Sequence, residues 1–184
     1  MTVPDQSHLT TVPVTVDNPD DWGDISTHLA AESGSGGAIT AEVVAEMVGS
    51  AVPMLFAADA SGDTDMLRGT FSDQILVQRR NQAGSFNGDT PVSATVHLVG
   101  SPTHDGQSAI RAHVMVATTS TDGGSAATGM FWDLTVDTTV VVGQSSCPNC
   151  GAPLAAGCLV CEHCHADVRQ VISAPLVVSR LELY

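Results

Sequence analysis

The chain contains no lysine, and its six arginines stand against twenty carboxylates, for a formal net charge of −14 over 184 residues. Such a surface repels polyanions, so nucleic acid is not expected as a partner. Even the cysteine-bearing stretch that would invite that reading, residues 145 to 172, carries only Arg169 against Glu162 and Asp167. Aromatic residues are scarce, at 4%, which leaves a core to be built from Val, Leu, Ile, Met and Ala. No unbroken apolar run approaches the roughly eighteen residues of a membrane span, and the N-terminus has neither a basic start nor a hydrophobic segment. No transmembrane segment is expected, and the expected location is cytoplasmic, where thiols stay reduced.

Cysteine is absent outside residues 147 to 164. Within them, Cys147/Cys150 in CPNC and Cys161/Cys164 in CEHC give the pattern C-x2-C-x10-C-x2-C. Two intervening residues let both sulfurs of one turn face a single point about 2.3 Å away, and two such turns supply the tetrahedral thiolate set that Zn2+ accepts. Four thiolates leave no open coordination position, so one structural zinc per chain is expected. An odd number of cysteines confined to one segment argues against a disulfide framework, and no βαβ context supports a redox C-x-x-C. Gly151 follows the second sulfur where the backbone wants a positive φ, and His165 holds the matching place after Cys164. Cys158 and Cys161 form a further C-x2-C. The register with Cys161/Cys164 is favoured, leaving Cys158 as a small buried hydrophobe or free thiol, with His163 and His165 as flanking residues.

Residues 1 to 38 are acidic and end in the flexible run ESGSGG, and are expected to form an arm whose removal leaves the folded domain nearly as stable. Val12, Val14 and Val16 alternate as in a strand, but Pro13 demotes it to an edge or an extended arm. The stretch DNPDDWGD from Asp17 resembles a calcium loop only superficially, because its twelfth position is His28 rather than a bidentate Glu. It is weighed instead as an acidic docking arm anchored by Trp22, against a solvated tail whose Trp22 packs on its own domain.

From Thr40, a fair N-cap, Val43, Val44, Met47, Val48 and Ala51 form a helical stripe that Pro53 is expected to end or kink near Ser50. PMLFAADA adds another turn or two, and MLRGTF a further helical piece. Asp59, Asp63 and Asp65 read as caps at a helix boundary rather than a metal site. Ser72 can cap SDQILVQRRNQ. After Gly88 the period becomes two, in VSATVHLVG, QSAIRAHVMVATT, ATGMFWDLTVDTTVVV and, beyond the cysteines, QVISAPLVVSRLELY. Helices first and strands afterwards indicate an α+β fold, N-terminal helices on a curved antiparallel sheet, with the zinc ribbon of residues 145 to 168 inserted before the last strand of a 39 to 184 domain. Met130, Trp132, Leu134 and Val136 share one strand face; His97, Arg111, His113 and Asp133 fall on the wetter side.

MLFAADASGDTDMLRGTFSDQILVQ, the FWDL of Phe131 to Leu134, CPNCGAPL with a second C-x2-C, and the final LVVSRLE together resemble bacterial members of the mitochondrial inner-membrane translocase subunit 44-like domain family, over about residues 40 to 184. The resemblance implies a long helical segment packed into a tapered, bent antiparallel sheet of the nuclear transport factor two type, with a zinc ribbon before the last strand. It also implies binding rather than chemistry: a non-enzymatic scaffold with an apolar pocket in the sheet concavity for an unidentified protein or a small apolar ligand. The competing expectation is an isomerase- or hydratase-like enzyme in the same pocket, with His97, His113 and Asp133 as candidate bases. A metal closing a loop of roughly 25 to 30 residues would favour pairing of the last strand, so metal loss is expected to loosen residues 171 to 184 and to weaken binding near Trp132.

Overall fold

The helical stripe after Thr40 and the period-two runs after Gly88 fold into two layers in a computed structural model, which describes residues 10–17, 40–86, 88–104, 107–136, 147, 149–152, 161, 163–165 and 176–184. Strand β1 (Val14–Asp17) is followed by helix α1 (Ala41–Ser61), a 3-10 turn (Thr64–Leu67) and helix α2 (Asp73–Asn81). Strands β2 (Thr90–Gly100), β3 (Thr103–His104), β4 (Gln107–Ser108), β5 (Ile110–Thr119), β6 (Ser125–Val136) and β7 (Leu176–Leu183) complete the order. Five of them form one sheet in the order β1-β2-β5-β6-β7, and β3-β4 form a small hairpin. The fold is α+β, as the order of patterns implies.

The sheet is mixed, not wholly antiparallel. β2, β5, β6 and β7 pair antiparallel, but β1 lies parallel to β2 with Val14 opposite Ala94 and Asp17 opposite His97. Parallel neighbours need a crossover, and the helical segment between β1 and β2 supplies it. Part of the expected free arm is therefore a strand of the sheet, with Val12, Val14 and Val16 packed against the core. Pro13 sits at the strand's start, where only its carbonyl is used, accepting the Ala94 N–H at 3.0 Å. Trp22 and the rest of DNPDDWGD after Asp17 lie outside the described residues.

Pro53 does not end α1, which runs on to Ser61 and stops at Gly62, where φ is 73° and the N–H bonds to Ala58 O. A proline inside a helix leaves the carbonyl four residues earlier without its donor. That carbonyl is Gly49 O, and it accepts the N–H of Val12 at 3.0 Å. The missing Cβ of Gly49 admits the arm, since a Cβ there would stand 2.9 Å from Val12 O and 3.4 Å from Val14 Cγ2. Thr40 caps the other end, its Oγ1 accepting from Val43 N. By length and composition α1 is apolar enough to cross a membrane, although 50% of the window is buried within the fold, as in the core helix of a packed domain.

The face of α1 bearing Val44, Val48, Val52 and Leu55 covers the sheet face formed by Val96, Val114, Met130, Trp132, Leu134 and Val178, all fully buried. MLRGTF is only partly helical: the 3-10 turn ends at Leu67, and Gly69 turns the chain at φ 83°. Asp63 caps that turn as expected, accepting from Asp65 N at 3.0 Å. Asp59 does not cap. Buried, it ion-pairs with Arg79 of α2, while its two oxygens accept the N–H groups of Ser85 and Phe86 at 3.2 and 2.9 Å. Phe86 in turn stacks on Phe56 at 4.1 Å, with the Arg79 guanidinium 5.0 Å from its ring centre. Ser72 occupies the N-cap of α2, yet its hydroxyl bonds to Ser179 O, because residues 70 to 72 bind the outer edge of β7: Ser72 N to Val178 O and Val178 N to Thr70 O, both 2.9 Å.

Gly→Ala in a helix ordinarily stabilises by about 1 kcal/mol. At position 49 the new methyl meets a backbone oxygen, so Gly49→Ala is expected to destabilise by about 1–3 kcal/mol, the usual overpacking range, read as a lower urea midpoint with unchanged slope. Deleting residues 1–38 is expected to lower the midpoint as well, since it uncovers the edge of β2, removes three half-buried valines packed on the core and orphans Gly49 O. An unaltered midpoint would show that β1 adds nothing to the fold.

Candidate metal centre

Each C-x2-C folds as a tight turn. The first closes with Gly151 N on Cys147 O and Cys147 N on Ala152 O, at 2.8 and 2.7 Å; the second closes with His165 N on Cys161 O at 2.8 Å. Gly151 and His165 both take positive φ, 73° and 58°, the equivalent role their equivalent positions require. The turns face one another, so the four Sγ atoms of Cys147, Cys150, Cys161 and Cys164 all lie within 4.8 Å of one another. Cys147 to Cys164 and Cys150 to Cys161 are each 3.7 Å apart. Bonds of about 2.3 Å to a tetrahedral zinc require sulfur separations of about 3.8 Å, whereas a disulfide needs about 2.05 Å. The geometry is that of a metal-ligand set, and the four cysteines are free thiols.

The inner edge of the cluster is dry and the outer edge wet: Cys147 and Cys161 are 2% and 0% exposed, Cys164 is half-buried and Cys150 exposed. The Ala152 N–H pulls the Cys150 thiol down, yet the neighbouring Cys164, Cys147 and Cys161 thiols, with some desolvation, push it up to about 12. Four sulfurs this close do not ionise together unaided, and a dication there would supply the missing compensation and displace protons on binding. Among the described residues this is the one group of Cys, His, Asp or Glu side chains placed to hold a metal ion. His163 and His165 are exposed beside it and Cys158 lies outside the described residues. Sequence reasoning missed Asn149, whose Nδ2 donates to Cys164 Sγ at 3.6 Å; the signal was an amide in the middle of CPNC.

The cluster sits in the connection between β6 and β7, and the sheet closes that connection at its base, where Val136 pairs directly with Leu176. The open connection, 137 to 175, is roughly forty residues, and a metal joining 147 to 164 shortens the effective loop to roughly half. Halving a loop is worth only about 0.6 kcal/mol. Burying a Leu or Val side chain is worth about 1.5–3 kcal/mol, and β7 buries Leu176, Val178 and Leu181 against the core. By these magnitudes the burial of β7 outweighs what a metal-shortened loop would add to its pairing.

The remaining candidates face away from α1. His97, His113 and Phe131 stand opposite one another on β2, β5 and β6, with ring centres 5.8 and 5.0 Å apart. His97 Nδ1 lies 3.2 Å from Asp17 Oδ2, and His113 Nε2 contacts the Tyr184 hydroxyl. Arg111 grips Asp133 through two bonds, Nε to Oδ1 at 2.7 Å and Nη2 to Oδ2 at 2.8 Å, which raises the guanidinium above its ordinary range. Asp133 is 1% exposed, so this carboxylate is held by a cation rather than offered to a substrate. Burial, then the neighbouring His97, lowers His113 below the ordinary imidazole range.

The expectation of an apolar pocket around Trp132 meets a filled core. Trp132 is 0% exposed and Phe71 packs edge-on against it at 5.7 Å, within the core that α1 and the turn after it share with the sheet. A groove of about 350 Å3 does open elsewhere, between Thr10 and Val12, the Pro53, Phe56, Ala57 and Ala60 side of α1, and residues 88–91.

Metal removal by a strong chelator is expected to abolish amide protection within 147–165 while speeding opening of 176–183 by no more than about threefold, the factor equivalent to 0.6 kcal/mol. Hydrogen exchange checks both halves; large loss in β7 would mean that the metal carries the strand. A second expectation concerns His113. Its folded pKa lies below the unfolded one, so its contribution to stability is complete above the unfolded value near 6.5 and is lost as pH falls through the folded value. A proton NMR titration with the His113 midpoint at or above that of a free imidazole would overturn this.

No family model, curated protein or solved structure matches the chain, so what the cluster does is argued from its own geometry.

Proposed function

We propose that this is a non-enzymatic zinc protein in which one Zn2+, held by Cys147, Cys150, Cys161 and Cys164, shapes a rigid knob on the sheet as a docking element for a protein partner. The observation that carries the reading is the closed thiolate set with 3.7 Å edges. A site with four protein ligands has no position left for water or substrate, which favours a structural metal. Sulfur ligands with no oxygen donor favour zinc over magnesium or calcium. The acidic, lysine-free chain favours a protein partner over nucleic acid, and a reducing cytoplasm suits metal-bound thiolates.

The sequence resemblance to the translocase subunit 44-like domain family supports the scaffold reading by analogy of fold. A small apolar ligand belongs to the same proposal, and the groove beside Pro53 and Phe56 gives it a place with apolar walls.

Protein purified under reducing conditions is expected to contain one zinc per chain by elemental analysis, to keep it in Cys158→Ser and to lose it in Cys150→Ser. Absence of zinc, or iron in a coloured cluster, would sink the metal assignment. Affinity capture from the native cell, with wild-type and Cys150→Ser as baits, tests the docking role: partners that come down equally with both would show that the knob is not the docking surface.

A further inference from the structure

Zinc bound by four thiolates carries a net charge of −2, and in this chain little is available to offset it: there is no lysine, and the same stretch sets only Arg169 against Glu162 and Asp167. Neutral N–H donors are then the means of spreading charge away from sulfur. Two are visible. The backbone N–H of Ala152 serves Cys150, within a single turn, as the local fold of a C-x2-C-G knuckle arranges. The other is a side chain and crosses between turns: Asn149 belongs to the first knuckle, yet its Nδ2 donates to Cys164 Sγ of the second, 15 positions on, at 3.6 Å.

The geometry points to Asn149 as a positioning residue of the metal centre, its amide clamping the second knuckle to the first and drawing charge from the Cys164 thiolate. The inference rests on the metal reading above and goes beyond the ligand set. Cys164 is the half-buried ligand at the wet side of the cluster, where water competes for a leaving thiolate. A donor held in place by its own turn keeps that sulfur aimed at the metal and draws charge from it. The amide itself needs no counter-ion, which suits a chain this acidic.

Two properties of the metal-loaded protein test it. The first is the rate at which a chromophoric chelator takes zinc from wild type, Asn149→Ala, Asn149→Asp and Asn149→Gln. The second is the sulfur-to-metal charge-transfer band of the Co2+-substituted forms. Loss of an outer-shell partner typically costs about 10- to 100-fold in metal affinity, so release from Asn149→Ala is expected to be at least about tenfold faster. Its Co2+ band should move to lower energy, because a thiolate relieved of a hydrogen bond gives up its electrons more easily. Asn149→Asp separates the donor from the turn: aspartate suits the same turn but has no N–H, so it should release at least as fast as alanine. Asn149→Gln, which keeps the amide, should recover part of the difference. Unchanged release in both Ala and Asp variants, or faster release with no movement of the band, overturns the proposal and leaves Asn149 as a turn residue. A wild-type protein that takes up neither Zn2+ nor Co2+ fails the metal reading itself, which is a different result.

Discussion

The carbonyl of Gly49, deprived of its intrahelical donor by Pro53, is the point at which helix and sheet are joined. Its partner is the N–H of Val12, and from that bond the arm runs directly into β1, whose ladder with β2 fixes the edge of the sheet. A helix that lacked the proline would have no vacancy to offer, and a residue larger than glycine at 49 would keep the arm at a distance. The opposite end of the helical layer is closed by a different device. Asp59 gathers Arg79 and the amides of Ser85 and Phe86, tying α1, α2 and the entry to β2 around one buried carboxylate. Removing one member of such a group leaves the others buried without compensation, which is why it specifies an arrangement more strongly than it adds net stability.

The domain carries two cores of unlike origin. The larger is mostly aliphatic, includes the fully buried Trp132, and covers most of one face of the sheet. The smaller consists of little more than Cys147, Cys161 and what packs on them, too small to balance the chain entropy of its own loop. A metal held by its four sulfurs would supply the cohesion that its few apolar contacts do not. The Val136–Leu176 pair insulates one from the other, because loop-closure free energy varies only logarithmically with length and is outweighed by the burial of β7.

The sheet face away from α1 is organised by rows across the strands. Asp17, His97, His113 and Phe131 form one such row, and Arg111 and Asp133 belong to the next. Asp17 pairs with His97 and Arg111 with Asp133 within a row, His113 reaches Tyr184, and Arg180 and Glu182 pair between adjacent rows.

Much of the local structure was legible in residue type and spacing. The thiolate set follows from the two-residue spacing of Cys147/Cys150 and Cys161/Cys164, and the positive φ of Gly151 and His165 from their places after the sulfurs, because a knuckle is a short-range object determined by its own few residues. The α+β class follows from helical period before Gly88 and period two after it, and the burial of Met130, Trp132 and Leu134 from alternation. Tertiary structure alone decided the rest. Pro53 signals a broken helix until Val12, 37 positions before Gly49 in the chain, is seen to use the freed Gly49 carbonyl. Asp59 looks like a cap until Arg79 arrives from another helix, and β1 looks like a loose arm until β2 pairs with it in parallel. These are contacts between residues distant in sequence, and no local periodicity encodes which distant partner will satisfy a backbone group or a buried charge.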